Sequence, residues 1–365
     1  MHPNSPASQL EIMNQTITQI SRRAKDAWNV FRHGAKITYK RAQIPSITNE
    51  ELSDIKYYFP SDKFFILGHS RSGNTLLMRL VRLHPEVHAN YQATFFSRPP
   101  GLTSLVDSLE IEEWLTRGTN HWNRGHDLSP VVLRAAADFI MENDARHSGL
   151  TKHIIGDKSP TTVTHGQAVR DMFRYYPDAR MVYIVRDGRD VMVSDRFRNF
   201  IEEKFLRRGD ERIIAGLKAN PSLFTSGEHS IFTDIWLRDT NQGVPSWVSN
   251  LKESDAEGKR LYGDRYLPIR YEDILANPFV EMKKVWLFLG VKNVDPALEK
   301  TISDEIADNH DKNWQAQRNQ FIAPLLPKGR PGNWRSFFTN RDREIFKEIA
   351  GDLLIKWGYE KDLNW

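Results

Sequence analysis

A glycine-punctuated turn that directly follows an apolar stretch constrains this chain more than any other feature. Residues 64–67 (Phe-Phe-Ile-Leu) have the composition of a buried strand, and residues 68–75 (Gly-His-Ser-Arg-Ser-Gly-Asn-Thr) follow in the frame G-x4-G-x-[ST]. Leu76, Leu77, Leu80 and Val81 then recur with helical spacing. Glycines let such a turn wrap an anion, and the N-terminus of the following helix adds a favourable partial charge. The order therefore predicts a phosphate-binding α/β unit.

The turn departs from the Walker A sequence at one position, where Asn74 stands in place of the lysine. In NTPases that lysine reaches the β- and γ-phosphates while magnesium neutralises the remaining charge. Here Arg71, inside the turn, can grip an anion through its planar fork instead. The turn therefore favours a phosphate-like ligand. It counts against an ordinary NTPase or nucleotide kinase, which is kept as the alternative.

Further along the chain, strand and helix patterns alternate. Strands are predicted at residues 154–155, 181–185 and 267–269, and helices at 162–176, from about 190, at 279–289 and before Gly358. This alternation predicts an α/β fold of the P-loop type, with three layers (α/β/α) and a mainly parallel central sheet. Residues 207–262, which hold Pro221, Gly227, Pro245 and Gly258, are expected to be rich in loops.

The distribution of charge separates an N-terminal arm from the rest of the chain. The 365 residues carry a formal charge of +4, and residues 1–60 account for +3 of it. We therefore divide the chain into a helical arm, residues 1–60, and one domain, residues 61–365, with helical or loop insertions at about 96–150 and 196–262. The arm is interpreted as a surface helix, with a membrane-surface or oligomer contact as the alternative.

Two more basic motifs follow the turn. Arg186 stands at the end of the predicted strand 181–185, where open α/β sheets place their ligands, and Ser194 follows eight residues later. Together they suit a second phosphate, whereas Arg189 and Asp190 are expected to form a surface ion pair. Residues 327–335 hold three basic residues, two glycines and a tryptophan, so this segment can close over an anionic ligand.

These three segments, in this order, resemble the sulfotransferase family that uses 3′-phosphoadenosine-5′-phosphosulfate (PAPS). Residues 68–87 are similar to the 5′-phosphosulfate loop and helix of tyrosylprotein sulfotransferases and their bacterial relatives. Residues 269–278 resemble the family's Y-E-D…N-P segment, which lies near the adenosine. Residues 328–339 resemble the C-terminal R-K-G-x-x-G-D-W-K…F-T segment of cytosolic sulfotransferases, except that Pro327 replaces its first basic residue and Asn333 its aspartate. The resemblance covers about residues 62–360.

The resemblance implies in-line, metal-independent transfer of a sulfuryl group from PAPS to a hydroxyl or amine acceptor. It implies three groups of cofactor-binding residues: Arg71, Ser72, Gly73, Asn74, Thr75 and Leu76 at the 5′-phosphosulfate, Arg186, Ser194, Lys328, Gly329 and Arg330 at the 3′-phosphate, and Tyr271 near the adenosine. Arg71 would also take up the charge that develops on the leaving oxygen, and Lys158 would assist at the bridging oxygen. The His, Asp and Glu residues show no metal-ligand spacing.

The general base is where the chain departs from the family. Gln92 occupies the position at which tyrosylprotein-type relatives carry a glutamate, and an amide cannot accept the proton. Asp157, His165, His88 and His69 are the candidates, and the sequence does not choose among them. Two alternatives stay open: an amine or acidic phenol that needs little help from a base, and a catalytically inactive relative that binds adenosine 3′,5′-bisphosphate (PAP).

The acceptor is expected to be a small molecule, a glycan or a lipid. The insertions carry aromatic residues that are either walls of its pocket or core: Phe95, Phe96, Trp114, Trp122, Phe197, Phe200 and Trp236. The near-neutral body lacks the basic footprint of a nucleic-acid-binding protein. We expect a cytoplasmic enzyme without a transmembrane segment, because no stretch approaches the ~20 apolar residues of a spanning helix, the first residues show no secretory leader, and cysteine is absent. A homodimer stays open.

Overall fold

The computed structural model of the protein describes residues 44–97, 101–106, 109–117, 121–148, 153–161, 165–308, 322–325 and 329–365, and the single residues 21, 23, 24, 27, 28 and 31. Most of the arm predicted over residues 1–60 lies outside these ranges. Its described part holds a short helix, α1 (Asn49–Ser53), which begins with a capping box between Thr48 and Glu51. A 3-10 turn, Asp54–Tyr57, follows directly.

Five parallel strands form a sheet in the order β2-β3-β1-β4-β5. They are β1 (Asp62–Gly68), β2 (Val87–Asn90), β3 (Ile154–Lys158), β4 (Arg180–Val185) and β5 (Tyr266–Arg270). In the central strand β1, Phe65 and Leu67 face one hydrophobic cluster, whereas Phe64 and Ile66 face another. The apolar run of β1 therefore buries both faces of the sheet, which requires helices on both sides.

Helices supply both of these outer layers. After α1 they are α2 (Asn74–Val81), α3 (Leu109–Thr116), α4 (Ser129–His147), α5 (Gln167–Tyr175), α6 (Gly188–Glu202), α7 (Asp210–Ala219), α8 (Ser222–Thr225), α9 (Asp234–Leu237), α10 (Val244–Tyr262), α11 (Tyr271–Ala276), α12 (Pro278–Leu289), α13 (Leu298–Ala307), α14 (Trp334–Phe337) and α15 (Asn340–Lys356). Helices α2, α11, α12 and α13 pack on the side of Phe64 and Ile66. Helices α4, α5, α6, α10 and α15 pack on the other side. The predicted three-layer α/β fold with a parallel sheet is confirmed.

The prediction that residues 207–262 are rich in loops is wrong. Helices α7 to α10 occupy most of this stretch. Two of the residues that suggested loops begin helices instead, since Pro221 is the N-cap of α8 and Pro245 lies in the first turn of α10. Gly227 does lie between helices, at φ 74°. Gly258 lies within α10, where a Cβ would meet the ring of Tyr266 at 2.2 Å. It therefore marks close packing of the helix and not a break.

Strand β2 and helix α4 are among the elements that were not predicted as such. Strand β2 alternates apolar and polar residues (Val-His-Ala-Asn), but it is only four residues long and all four are buried, so the pattern is too short to indicate a strand. Helix α4 spans 19 residues inside the insertion at about 96–150, and Pro130 lies in its first turn. Helix α6 continues past residue 196 to Glu202.

The parallel arrangement gathers the predicted motifs at one edge of the sheet. The carboxyl ends of all five strands lie at this edge, which is where open α/β sheets bind their ligands. The turn of residues 68–73 follows β1, and Lys158 is the last residue of β3. Arg186 follows β4 directly, and Tyr271 follows β5.

Candidate active site

The turn between β1 and α2 is closed by hydrogen bonds to one carbonyl. The N–H of Ser72 and the Nδ2 of Asn74 both donate to the carbonyl of His69, at 3.2 and 2.9 Å. Gly73 and Arg71 take left-handed conformations, at φ 95° and 69°. The first N–H groups of α2 have no intrahelical partner by geometry, so they can bind an anion. Asn74, at the Walker lysine position, is thus part of the turn's own framework.

Arg71 joins this turn to the second basic motif. Its Nε donates to the Oγ of Ser194 on α6 at 3.1 Å. The guanidinium of Arg186 in turn donates to the carbonyl of Arg71 at 3.1 Å. This bond helps to hold Arg71 in a left-handed conformation that is costly for a residue with a side chain. Arg71 and Arg186, which are more than a hundred positions apart in sequence, therefore form one cationic cluster with Ser194.

The guanidinium of Arg186 is buried, and its positive charge acts at longer range on the carboxyls of Asp190 and Glu272. Only 5% of the residue is exposed, and within the described ranges it forms no salt bridge, while its Nε has no hydrogen-bond partner there. Its guanidinium lies over the ring of Tyr271, with Cζ 4.8 Å from the ring centroid. The Oγ of Ser72, also buried, lacks a partner in the same ranges. A buried cation requires an anion, so these two groups fit an anionic ligand.

Tyr271 brings the third basic segment to the cluster. Its ring packs on Gly73, where a Cβ would lie 2.3 Å from the ring. Its hydroxyl donates to the carbonyl of Gly329 at 2.8 Å. Arg330 follows with an exposed side chain, whereas Lys328 lies outside the described residues. The turn, the strand end after β5 and the segment around Gly329 therefore meet at Tyr271.

Lys158, at the end of β3, lies at the side of the turn opposite Tyr271. Its Nζ donates to Thr75 Oγ1 at 3.2 Å and to Gln92 Oε1 at 3.1 Å, and it lies 3.9 Å from the ring centroid of Tyr91. Burial lowers the pKa of Lys158 to about 8; the carboxylate of Asp157 opposes this change, and nearby arginine charges reinforce it. A lysine with such a pKa can give up a proton near neutral pH.

Asp157 is fully buried, and its carboxylate is occupied by neighbouring donors. It accepts hydrogen bonds from the N–H groups of Ala93 at 2.9 Å and Thr94 at 3.2 Å, and from the hydroxyl of Ser159. Burial raises the pKa of Asp157 to about 6, and these hydrogen bonds oppose the rise. They also hold the segment that carries Gln92, which is in a left-handed conformation at φ 57°. This geometry suits a residue that places Gln92 against the lysine.

The family model of the sulfotransferase domain matches residues 61–358. The chain belongs to the sulfotransferase family. It is 23% identical to protein-tyrosine sulfotransferase A of Caenorhabditis elegans over 275 residues, which are 75% of this chain and 61% of that protein. It is 27% identical to sulfotransferase 1A1 of Rattus norvegicus over 175 residues, which are 46% of this chain and 53% of that protein. The chain thus spans between half and two thirds of the length of these relatives.

Among solved structures, mouse sulfotransferase SULT7A1 complexed with PAP resembles this chain with a TM-score of 0.44. The two are 18% identical, and the superposition covers 84% of this chain and 90% of that chain.

Three of the base candidates that the resemblance to sulfotransferases raised are histidines. His165 is exposed, and its Nδ1 lies 3.0 Å from Glu253 of α10. His88 is buried, and its Nε2 lies 2.7 Å from Asp144 of α4. His69 is buried in the turn, and burial lowers its pKa to about 4, so its ring is neutral. The geometry favours none of these three as the base.

One carboxylate that the sequence analysis does not single out lies beside the cluster. Asp195 follows Ser194 on α6; burial raises its pKa, and the charges of Arg71 and Arg198 oppose the rise. Arg198 also lowers the pKa of Lys158, so one positive charge acts on both groups. The sequence offered one signal, namely the position of Asp195 directly after a candidate phosphate-binding serine on a helix.

The predicted surface ion pair between Arg189 and Asp190 is wrong. Both residues are buried, at 1% and 2% exposure. Arg189 pairs with Asp187 at 2.7 Å and with Glu360 at 2.5 Å. Asp190 accepts hydrogen bonds from two backbone N–H groups of residues 329–335. Adjacent residues on a helix point in different directions, which explains why these two do not face each other.

Most of the aromatic residues suggested as walls of an acceptor pocket belong to the core. Five of them are at most 6% exposed: Phe95, Phe96, Phe197, Phe200 and Trp236. Trp114 and Trp122 are 57% and 48% exposed, and their ring centroids lie 4.9 Å apart. Only this pair is therefore available to an acceptor among the seven.

Two kinds of feature are absent from the described part of the chain, a helix that could span a membrane and a cluster of metal ligands. No helix there combines the length and the apolar character needed to cross a membrane. No group of three or more His, Asp or Glu side chains in that part of the chain is arranged to hold a metal ion.

Proposed function

We propose that this protein transfers a sulfuryl group from PAPS to a hydroxyl or amine acceptor. The observation that carries the proposal is the buried guanidinium of Arg186, which forms no salt bridge in the described ranges and donates to the carbonyl of Arg71. Two anion-binding positions therefore adjoin each other, one at the turn of residues 68–75 and one at Arg186. A nucleotide that carries phosphates on both its 5′ and 3′ sides matches two such positions.

The proposal assigns each part of the cluster to one end of PAPS. Arg71 and the N–H groups of Ser72, Gly73, Asn74, Thr75 and Leu76 would hold the 5′-phosphosulfate. The 3′-phosphate would be held by Arg186, Ser194, Lys328, Gly329 and Arg330, of which Lys328 remains a prediction from the sequence. Tyr271, which contacts both sides, would fix their separation. The unpartnered Ser72 Oγ and Arg186 Nε are consistent with this fit.

The chain supplies the charges that the transfer requires. PAPS provides an activated sulfuryl group, whose bond to the 5′-phosphate oxygen breaks during the reaction. Lys158 would donate a proton or a hydrogen bond at that oxygen, and Arg71 would stabilise the charge that develops there. Positive charge comes from these two side chains and partial positive charge from the N–H groups of the turn. Together they can neutralise the phosphosulfate, so the proposal needs no divalent ion.

We assign the base to Asp195. Its neighbour Ser194 contacts Arg71, and the charges of Arg71 and Arg198 act on its carboxylate. Asp157 is the less suitable carboxylate, because three donors already occupy it. Asp157 would instead position Gln92 and thereby Lys158. This assignment favours an active enzyme over a catalytically inactive relative.

The acceptor is proposed by its chemical class. We propose a small molecule, a glycan or a lipid with a hydroxyl or amine group. The name of the worm relative refers to protein tyrosine, so a tyrosine peptide belongs among the candidates to be tested. A cytoplasmic location, a homodimer and the division into an arm and one domain remain predictions.

Two measurements test the function. Thermal shifts with PAP, AMP and ATP should rank PAP first, and the preference over AMP should vanish in Arg186→Gln but persist in Arg82→Gln. Arg82 is exposed at the far end of α2 and serves as the matched control. The release of PAP from PAPS should then be measured with a phenol, an amine, a tyrosine peptide, a saccharide and a sterol. Stabilisation by ATP alone, with turnover that requires magnesium, would favour the kinase alternative. Tight PAP binding without release on any acceptor would favour the inactive relative.

A further inference from the structure

Arg189 is a buried cation that the proposed chemistry does not use. Its Nε and Nη2 donate to both carboxylate oxygens of Asp187, at 2.7 to 3.2 Å. Its Nη1 donates to Glu360 at 2.5 Å. Asp187 is the N-cap residue of α6, and Glu360 lies after α15. Arg189 therefore links the beginning of α6 to the segment of residues 358–365.

The guanidinium of Arg189 also lies between two tryptophan rings. Its Cζ is 3.9 Å from the ring centroid of Trp334 and 4.4 Å from that of Trp365. The two rings are 5.4 Å apart and nearly perpendicular. A planar guanidinium is suited to such stacking, whereas a lysine ammonium is not. We call Arg189, Trp334 and Trp365 the arginine–tryptophan stack.

The stack is joined to the segment that would hold the 3′-phosphate. Trp334 belongs to that segment, and its N–H donates to Asp190 at 2.9 Å. The N–H of Gly332 donates to the other oxygen of Asp190 at 2.7 Å. On the opposite side, the carbonyl of Gly329 accepts the hydroxyl of Tyr271. The segment is thus anchored on one side by α6 and on the other by Tyr271.

The residues after α15 complete this anchoring. The hydroxyl of Tyr359 donates to Glu272 at 3.0 Å, and the other oxygen of Glu272 accepts the N–H of Asp187. Leu363 packs against Gly351 of α15, where a Cβ would meet it at 2.5 Å. Residues 359–365 therefore contact the beginning of α6, the beginning of α11 and the stack at once. The beginning of α6 adjoins Arg186, the stack includes Trp334 of residues 329–335, and the beginning of α11 carries Tyr271, which contacts both Arg186 and Gly329.

We propose that Arg189, Glu360 and Trp365 are positioning residues that fix residues 329–335 against Arg186 and so set the preference for a 3′-phosphate. This inference rests on the proposed function, since it concerns the same cofactor site. None of the three residues is assigned a contact with the nucleotide. Their loss should therefore weaken recognition of the 3′-phosphate specifically and leave the 5′ side, held by the turn of residues 68–75, intact.

The test compares two nucleotides that differ only in the 3′-phosphate. Isothermal titration calorimetry on the full chain should give Kd values for PAP and AMP with wild type, Trp365→Ala, Glu360→Gln and Arg189→Lys. We expect the preference for PAP over AMP to fall about tenfold or more in the variants, with Kd for AMP nearly unchanged. Trp365→Phe keeps an aromatic face and should retain most of the preference. Lys361→Ala, an exposed change in the same segment, is the matched control.

The outcomes separate this inference from the proposed function. An unchanged preference in Trp365→Ala and Glu360→Gln would overturn the inference alone. An equal loss of affinity for both nucleotides would also overturn it, because a merely structural role predicts that result. If wild type itself binds PAP no better than AMP, the proposed cofactor site fails and the inference fails with it. Trp365→Ala and Glu360→Gln decide the matter even where Arg189→Lys does not fold.

Discussion

Replacing Lys158 gives the sharpest test of the proposed chemistry. Because burial lowers the pKa of Lys158 to about 8, its acid form should fall from about 90% of the molecules at pH 7 to about 10% at pH 9. If that form assists the leaving oxygen, kcat/KM for PAPS, which reports the pKa values of the free enzyme, should decrease about tenfold over the same interval. The sign is fixed by chemistry, since the protonated lysine is the active form and is lost as pH rises through about 8.

Two substitutions separate the proton from the charge. Lys158→Ala removes both, and should lower kcat by about 10²- to 10⁴-fold while the Kd for PAP changes little. Lys158→Arg keeps a charge that does not titrate in this range, so its residual activity should not decline between pH 7 and 9. The change to alanine is expected to fold, because Gln92 is exposed and Thr75 partly so, which allows water to replace the lost donor.

The assay is the initial rate of PAP release over a range of PAPS concentrations, which yields kcat and kcat/KM, with the acceptor that reacts fastest in the panel, across pH 6 to 10. Lys252→Ala on α10 is an exposed lysine control and should behave as wild type. A flat wild-type profile from pH 7 to 9, together with full turnover by Lys158→Ala, would refute the assignment. A profile that declines equally in Lys158→Arg would show that another group titrates.

Three further changes test the neighbouring roles. Arg186→Gln should weaken PAP binding about tenfold or more with little effect on AMP binding, because a charged hydrogen-bond donor to the 3′-phosphate is lost. Calorimetry measures both Kd values, and an equal effect on the two nucleotides would contradict this prediction. Asp157→Asn should lower the free energy of unfolding in urea by about 1–3 kcal/mol, because one of the N–H groups of Ala93 and Thr94 loses its acceptor. Burial raises the pKa of Asp157 to about 6, so its protonated form stabilises the folded state at low pH, and this stabilisation is lost as pH rises from about 4 to 6. If the free energy of unfolding of Asp157→Asn changes with pH over this interval as it does in wild type, Asp157 does not carry this effect. Asp195→Asn should lower kcat by about 10²- to 10⁴-fold and remove the acidic limb of the pH profile without altering the Kd for PAP, and an intact acidic limb would exclude it as the base.

The sequence was sufficient for the features that local chemistry determines. The apolar run of β1 predicts a buried parallel strand, and the glycines after it predict an anion-binding turn. Both features can be predicted because each depends on residues that are neighbours in sequence. Gly73 takes the left-handed conformation that a glycine allows, and Arg71 also does, with support from Arg186. The order of strands and helices likewise predicts the layers, because a parallel sheet has few other ways to be covered.

What escaped the sequence depends on partners that are remote along the chain. Arg189 looked like a surface residue because one of its two carboxylate partners, Glu360, and the tryptophan rings that cover it lie far away in sequence. The environment of Asp195 is set by Arg71, which belongs to another element. Asp157 could not be distinguished from a base, because its backbone donors come from residues after β2. Local patterns specify which residues are charged, but only packing determines what each charge meets.

The central position of β1 has a consequence for how the protein folds. Its two neighbours, β3 and β4, are synthesised long after it, and parallel pairing of such distant segments closes large loops before any contact forms. The turn of residues 68–75 cannot meet Arg186, Tyr271 and Gly329 until most of the domain has been made and assembled. Nucleotide binding should thus report complete folding and should protect the domain as a whole. At a hundredfold excess over its Kd, PAP would add about 2.7 kcal/mol to the free energy of global unfolding.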